Sequence, residues 1–174
     1  MKIRLVEIAI FAMLTALMFG SKQIMALLPN IHLIGVFIVA ATVVYKWKAL
    51  FPIYGFVFLE GLLAGFSPWW VMYLYVWAVL WALAMLIPRK APKWLLPILC
   101  SLVCGLHGFG FGTLCAPTQA LFFGLDLEGM LAWIAAGFLS FDVIHGISNL
   151  ISGALICPVI ILVLSQAEKI AKGW

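Results

Sequence analysis

The residues of this sequence that can do chemistry are a few polar side chains set in long apolar runs. Asp142, His145 and Asn149 are spaced three and four residues apart, which places them on one face of a helix. Glu60 and His107 also lie inside apolar runs. A charged side chain at the centre of a bilayer costs about 2.5 kcal/mol or more, so these groups must face protein or a water-filled cavity. They can form a ligand site, or a polar knot that fixes helix packing.

Aromatic residues form a second pattern. Trp70, Tyr73, Trp77 and Trp81 recur at spacings of three, four and four, which makes one stripe along a helix. Trp69 and Trp70 also fit an interfacial belt at the membrane edge. Trp77 and Trp81 lie deeper, where they fit either core packing or a wall on which a flat ligand stacks.

Polar residues also occur between the apolar runs. Lys22, Asn30 and His32 lie in the first connection, which can be a wet turn or a lid over a pocket, and Thr118 and Gln119 follow the fifth run. The pattern predicts a binding site for a small, planar molecule, built from the first loop and helices three to six. The predicted substrate-binding residues are Lys22, Asn30, His32, Glu60, Trp70, Tyr73, Trp77, His107, Gln119, Asp142, His145 and Asn149.

Composition identifies the solvent that surrounds these elements. Hydrophobic residues make up 67% of the 174 residues, charged residues make up 9%, and the mean hydropathy is +1.23. Soluble domains carry about 25% charged residues, so most of this surface must face lipid. The basic residues are scattered in ones and twos, which argues against nucleic acid as a partner. The sequence predicts an all-α membrane protein with one domain over residues 1–174.

Glycines and cysteines fit packing roles. Gly105, Gly108 and Gly112 share one helix face, which favours close helix packing over a phosphate loop. The four cysteines form no CxxC pair, so we expect them to pack as small apolar residues.

Six membrane spans follow from run length and from Pro, Gly and charged residues between the runs. Five are predicted at about residues 5–26, 33–45, 51–66, 69–87 and 94–114, the fifth ending before Ala116 and Pro117. The last run, residues 131–164, is too long for one ordinary span. Gly137 and Ser140 are expected to divide it into an outer segment and a sixth helix from about Ser140.

The distribution of charge gives an orientation. With the N-terminus in the cytoplasm, nine of the ten basic residues fall at inner ends, while Lys22 and the acidic Asp126 and Glu128 fall outside. The positive-inside rule therefore predicts six spans with both termini cytoplasmic. A seven-span alternative would place Lys169 and Lys172 outside. The nine inner residues are Lys2, Arg4, Lys46, Lys48, Arg89, Lys90, Lys93, Lys169 and Lys172.

Over nearly its whole length the chain resembles the substrate-binding S components of energy-coupling factor (ECF) transporters. The resemblance rests on size, span number, orientation, the outer pocket and the small-residue pattern from Ala12 to Ala16, which Ala9 extends. It implies that Ala9, Ala12 and Ala16 dock on a transmembrane coupling subunit and that residues 20–32 form a lid. It also implies a prokaryotic plasma-membrane subunit that binds a vitamin or its precursor. Two cytoplasmic ATPase partners would hydrolyse ATP, so the chain itself would be no enzyme and need no cofactor.

The substrate preferred on chemical grounds is a nitrogen heterocycle, such as a deazapurine (a queuosine precursor) or a pterin-like precursor. Aromatic faces suit a flat ring, and two carboxylates suit an N–H-rich or cationic edge. Riboflavin, cobalamin precursors and pyridoxine-like molecules also fit.

Two other functions compete with this prediction. One is a proton-coupled secondary transporter that uses Glu60, His107, Asp142 and His145 as a relay. The other is an intramembrane enzyme in which His107, His145 and Asp142 bind zinc or iron. The sequence has no HExxH motif, and no metal site is predicted.

Overall fold

Helices account for every regular element between residues 3 and 173, the part of the chain that the computed structural model describes. The first five α-helices are α1 (Leu5–Ile24), α2 (Ile34–Tyr45), α3 (Leu50–Ala64), α4 (Pro68–Met85) and α5 (Leu96–Phe109). The remaining four are α6 (Phe111–Phe123), α7 (Leu127–Gly137), α8 (Val143–Leu155) and α9 (Cys157–Gly173). Shorter helical segments lie at Met25–Leu27, Lys46–Ala49 and Phe138–Asp142. The predicted all-α fold is confirmed.

Several of these helices match the dimensions of a bilayer. Within the described residues, five helical stretches are long and apolar enough to cross a membrane. They are Leu5–Leu27, Ile34–Ala64, Pro68–Met85, Leu96–Phe123 and Leu127–Leu155. Large apolar side chains on them are exposed, including Leu17, Phe58 and Ile151, as expected of a surface that lipid covers. These features are compatible with a multi-pass membrane protein.

The second stretch, Ile34–Ala64, contains a reversal of the chain. Lys46 adopts a φ of +53° and ends α2, and a short 3₁₀ turn leads into α3. The 12 residues of α2 span only about 18 Å at 1.5 Å per residue. The 15 residues of α3 make it short as well, in agreement with the predicted spans 33–45 and 51–66. The number of membrane crossings stays a prediction.

One end of the bundle collects most of the described basic residues, and we call it the basic end. Lys48 Nζ lies 2.6 Å from Glu7 Oε1, and the Arg4 guanidinium donates to the carbonyl oxygen of Ala171. The two described chain ends therefore lie side by side. Further contacts at this end join Arg89 to Glu168, Lys172 to Glu168, and Lys46 to the carbonyl oxygens of Met85 and Ile87. Lys2, assigned to the same end from the sequence, lies outside the described residues.

Two predicted boundaries were wrong. The fifth span does not end before Ala116, because α6 continues the helical stretch from α5 to Phe123 with Pro117 inside it. Proline is tolerated in membrane helices where neighbouring groups satisfy the freed backbone. The sixth helix does not start anew at Ser140, since α7 continues into α8 through the π-helical segment Phe138–Asp142. The predicted division at Gly137 and Ser140 coincides with that change of helix type.

Helices α5 and α8 form the closest packing in the bundle. A Cβ atom added to Gly108 would lie 2.9 Å from the Cα atom of Gly146 and 3.0 Å from the carbonyl oxygen of His145. The neighbouring Gly105 and Gly112 face Leu150 and Asp142 of the same partner segment. The predicted role of these glycines in close packing is confirmed. The contact fixes His107 of α5 relative to α8.

Candidate functional site

The centre of the candidate site is Trp77 on α4, whose side chain is 1% exposed. Its ring centroid lies 5.7 Å from those of His107 and Phe111 and 6.2 Å from that of His32. Separations in this range suit tilted and edge-to-face ring contacts, which add to the stability of apolar burial. We call the following residues the ring cluster: His32, Phe56, Tyr73, Trp77, His107, Phe111 and His145.

Three histidines enter the ring cluster from different parts of the chain. His145 of α8 lies 4.7 Å from His32 and 4.9 Å from Phe111, measured between ring centroids. His107 Nε2 lies 3.0 Å from the carbonyl oxygen of Val76, a hydrogen bond in which Nε2–H is the donor. The loop of residues 28–33 thus inserts His32 between α4 and α8. The predicted convergence of the first loop with the later helices holds for His32, His107 and His145.

Two nitrogen atoms in the ring cluster lack hydrogen-bond partners among residues 3–173. They are Trp77 Nε1 and His32 Nδ1, and both atoms are buried. Leaving a buried donor or acceptor unsatisfied costs about 1–3 kcal/mol, and most buried polar groups in proteins do have partners. The contact of these two rings therefore leaves two polar atoms without a hydrogen-bond partner in this part of the chain.

A charged cluster adjoins the rings. The Lys22 ammonium of α1 forms an ion pair with Glu60 of α3, and Gln23 Nε2 donates to the other carboxylate oxygen at 2.9 Å. Lys22 Nζ also lies 5.2 Å from the Tyr73 ring centroid and 5.5 Å from that of Trp69. Such cation–π contacts add attraction where the cation is partly desolvated. Both Glu60 oxygens are therefore already bound.

Two cavities flank the loop of residues 28–33. The first, of about 330 Å³, is lined by Lys22, Glu60 and His32, and we call it the Glu60 cavity. The second, of about 400 Å³, is lined by Phe111 and Asp142, and we call it the Asp142 cavity. Asn30 lines both cavities. These volumes suit small molecules. The loop that carries Asn30 and His32 is the shared wall.

Asp142 and Asn149 are buried, as expected from their helix face, but each has a protein partner. Both Asp142 carboxylate oxygens lie 3.1 Å from the amide nitrogen of Gly112 in the first turn of α6, where the helix dipole favours an anion. Asn149 Nδ2 donates to the carbonyl oxygen of His145, and its Oδ1 faces Gly35 of α2. Both contacts fit the polar-knot alternative, while Asp142 still borders a cavity.

Two predicted site residues lie away from the ring cluster. Trp70 Nε1 donates to the carbonyl oxygen of Val57 at 2.8 Å, and its ring packs on Phe66. Gln119 is half-buried on α6, next to Thr118, whose hydroxyl bonds that of Tyr75. The three alanines predicted to dock a partner are exposed on α1: Ala9, Ala12 and Ala16.

Sequence reasoning did not include Phe56, Phe111, Gln23 or Trp69 in the site. A signal existed for two of them, because Phe56 lies four residues before Glu60, and Phe111 lies four residues after His107. Gln23 and Trp69 contribute through contacts between α1, α3 and α4, which no local spacing reveals.

The described residues contain no group of three or more His, Cys, Asp or Glu side chains that could hold a metal ion. The set of His107, His145 and Asp142, considered as an alternative metal site, does not form one cluster in residues 3–173.

His32 gives the site a pH response. Burial lowers the pKa of His32 to about 4, and the Lys22 ammonium adds to this effect. The unfolded chain binds the His32 proton near pH 6.5 and the folded chain only near 4, so stability is lost as pH falls through this range. His107 and His145 also face this ring.

We expect the unfolding temperature of wild type to drop more steeply than that of His32→Gln from pH 6.5 to 4. Parallel curves in a thermal-shift series would contradict this.

The rings of the cluster are in direct contact with one another, and space for a small molecule lies in the two cavities beside the loop, which His32 borders on one side and Phe111 and Asp142 border on the other. Comparison of the chain with known protein families, with curated proteins and with solved structures finds no match.

Proposed function

We propose that this chain is a membrane-embedded solute-binding subunit that takes up a small, planar nitrogen heterocycle from the outer side. The observation that carries the proposal is the ring cluster around Trp77, with two unsatisfied nitrogens and a cavity on either side of the loop. Most buried polar groups in proteins have hydrogen-bond partners, so the two unsatisfied atoms favour a binding role over a purely structural one.

The mechanism assigns a task to each part of the site. His32 and Phe111 of the ring cluster line the cavities and offer rings to a flat ligand, and the loop with Asn30 and His32 closes over it. Lys22 and Glu60 tie α1 to α3 beside the loop. Binding in the cavities beside the loop removes the ligand from water, and a ligand in the Glu60 cavity can supply the hydrogen bond that His32 Nδ1 lacks.

We further propose an ECF-type role, in which the exposed small face of α1 docks on a transmembrane coupling subunit. That face comprises Ala9, Ala12 and Ala16. The gathering of basic residues at one end supports six spans with cytoplasmic termini in a prokaryotic plasma membrane. Two cytoplasmic ATPases would then supply the energy, and this chain would hydrolyse nothing.

Mass spectrometry of small molecules released from the purified, detergent-solubilised protein tests the binding function. We expect one heterocycle at near-stoichiometric amount. In His145→Phe the amount should fall about tenfold, because this variant removes a polar contact inside the ring cluster. Tyr54→Phe is the matched control: it loses the bond from Tyr54 Oη to the Leu74 carbonyl oxygen, outside the cluster, and should retain the ligand.

Protein that releases nothing and shows no thermal shift with pterin, hypoxanthine or cytosine would refute the binding function. Uptake in cells that lack any partner ATPase would instead support a stand-alone secondary transporter.

A further inference from the structure

The Asp142 cavity is bordered by a carboxylate that no cation of the described chain neutralises. The ion pairs among residues 3–173 involve Glu7, Glu60 and Glu168, and none of them includes Asp142. Asp142 is 3% exposed, so little water reaches its charge. A buried charge without a partner is strongly unfavourable. A positively charged occupant of the cavity would supply that partner.

The carboxylate of Asp142 also has acceptor capacity left. Both of its oxygens share one donor, the amide N–H of Gly112, at 3.1 Å. Since a carboxylate offers about four lone-pair sites, most of them remain for a ligand. Glu60 differs, because its two oxygens already bind Lys22 and Gln23. Of the two cavities, only the Asp142 cavity therefore has a carboxylate that can take a new donor.

The Asp142 cavity is open at the surface of the bundle. Two residues that line it, Ser140 and Phe141, are exposed and belong to the π-helical segment that ends at Asp142. In that segment the amide N–H of Val143 bonds to the carbonyl oxygen of Phe138, five residues earlier. Wide turns of this kind occur frequently at functional sites. A ligand can enter beside this turn without separating the rings of the ring cluster.

Three aromatic rings line the same cavity, and they suit a flat cation. They belong to Phe111, Trp133 and Phe141. Aromatic faces stack on flat rings and also attract positive charge. The volume of about 400 Å³ leaves room for a small molecule of this kind.

We infer that the ligand binds in the Asp142 cavity and is a flat, positively charged ring system whose N–H groups donate to the Asp142 carboxylate, as those of a protonated aminopyridine or an amidine do. This inference rests on the proposed binding function and names its substrate class and its cavity. The loop with Asn30 borders the bound ligand on the side away from the π-helical segment.

Two probes of nearly equal shape isolate the charge. Benzamidine carries a flat cationic N–H edge, whereas benzamide is its neutral counterpart. Equilibrium dialysis at neutral pH, referenced to detergent alone, measures binding of each probe to ligand-stripped wild type and Asp142→Asn. We expect benzamidine to bind wild type about tenfold more tightly than benzamide, and to lose this advantage in Asp142→Asn.

Asp126→Asn is the matched control for the loss of one acidic group. Asp126 is exposed and accepts from the amide of Gly129, outside the cavity, and asparagine caps helices as well as aspartate does. This variant should bind both probes as wild type does. Asp142→Asn should unfold at no lower temperature than wild type, because it keeps an oxygen for the Gly112 amide and removes an unpaired charge.

A second pair of variants tests the location. Ala136 lines the cavity and the adjacent Ala135 does not, and both are exposed on α7. The larger side chain of Ala136→Phe should fill the cavity and weaken benzamidine binding about tenfold. Ala135→Phe should leave the binding unchanged.

Equal binding of the two probes to wild type, or of benzamidine to wild type and Asp142→Asn, would overturn this inference. A co-purified heterocycle that binds these two proteins equally would do the same and leave the binding function intact. A co-purified aminophospholipid would also overturn the inference, because its ammonium group would then be the partner of Asp142. Failure of every probe, together with no co-purified molecule, would overturn both the inference and the binding function.

Discussion

Replacing Lys22 with Met is expected to destabilise the protein by about 3–5 kcal/mol, because it leaves the Glu60 carboxylate buried without its cation. The Glu60 side chain is 2% exposed, and Gln23 would remain its only described hydrogen-bond partner. Methionine keeps an unbranched apolar stem and so preserves much of the packing of Lys22. The measurement is the free energy of unfolding in a mild detergent.

The size of the effect follows from the unequal exposure of the two partners. Lys22 is 26% exposed and can turn its ammonium towards water when Glu60 is replaced. Glu60→Gln should therefore cost less than Lys22→Met. The double variant Lys22→Met/Glu60→Gln removes both charges and should recover most of the loss, since replacing a whole buried pair is often neutral.

Additive losses in the double variant would contradict this account. They would show that Lys22 and Glu60 stabilise the fold through other neighbours, such as the Trp69 and Tyr73 rings near the ammonium. Lys22→Arg is a further control, because it keeps the charge and the cation–π contacts.

The pair also shows how far the sequence can predict this site. Glu60 and Lys22 were each recognisable as costly groups near the membrane, but they are 38 positions apart, and no periodicity joins them. The sequence predicts that Glu60 accepts hydrogen bonds from the ligand. In the structure Lys22 and Gln23 bind the two carboxylate oxygens of Glu60, because α1 and α3 run side by side in the same direction.

Periodicity did predict what lies within one helix. The shared face of Asp142, His145 and Asn149 and the depth of Trp77 are correct, because helical geometry alone determines them. What each polar group binds depends on packing between helices. Asp142 binds the amide of Gly112 because α5 ends at Phe109 and α6 begins at Phe111. The glycines of this segment did not indicate that a second helix begins there.

The predicted helix boundaries were wrong where the membrane environment outweighs local sequence signals such as proline. Pro117 predicts the end of a helix, yet α6 continues through it to Phe123. Proline ends helices in water mainly through the hydrogen bond it removes, whereas a membrane favours continued helix because exposed backbone groups cost more there.

The second large effect is expected for Gly108→Ala, at the contact of α5 with α8. Its new Cβ atom would lie 2.9 Å from the Cα atom of Gly146 and 3.1 Å from that residue's amide nitrogen. These neighbours are backbone atoms and cannot turn aside as a side chain can. Overpacking of this kind costs about 1–3 kcal/mol, and occasionally more, so we expect a loss at the upper end of that range.

Gly137→Ala is the matched control, because a Cβ atom there meets nothing within 4 Å and alanine favours helix. It should leave the unfolding free energy unchanged or raise it. Gly108→Ala should also weaken ligand binding, since separating α5 from α8 moves His107 away from His145 across the ring cluster. Equal stability of the two alanine variants would mean that α5 and α8 are packed less closely than their glycines indicate. A loss of stability with unchanged ligand affinity would mean that the ring cluster is held by α4 and the loop of residues 28–33.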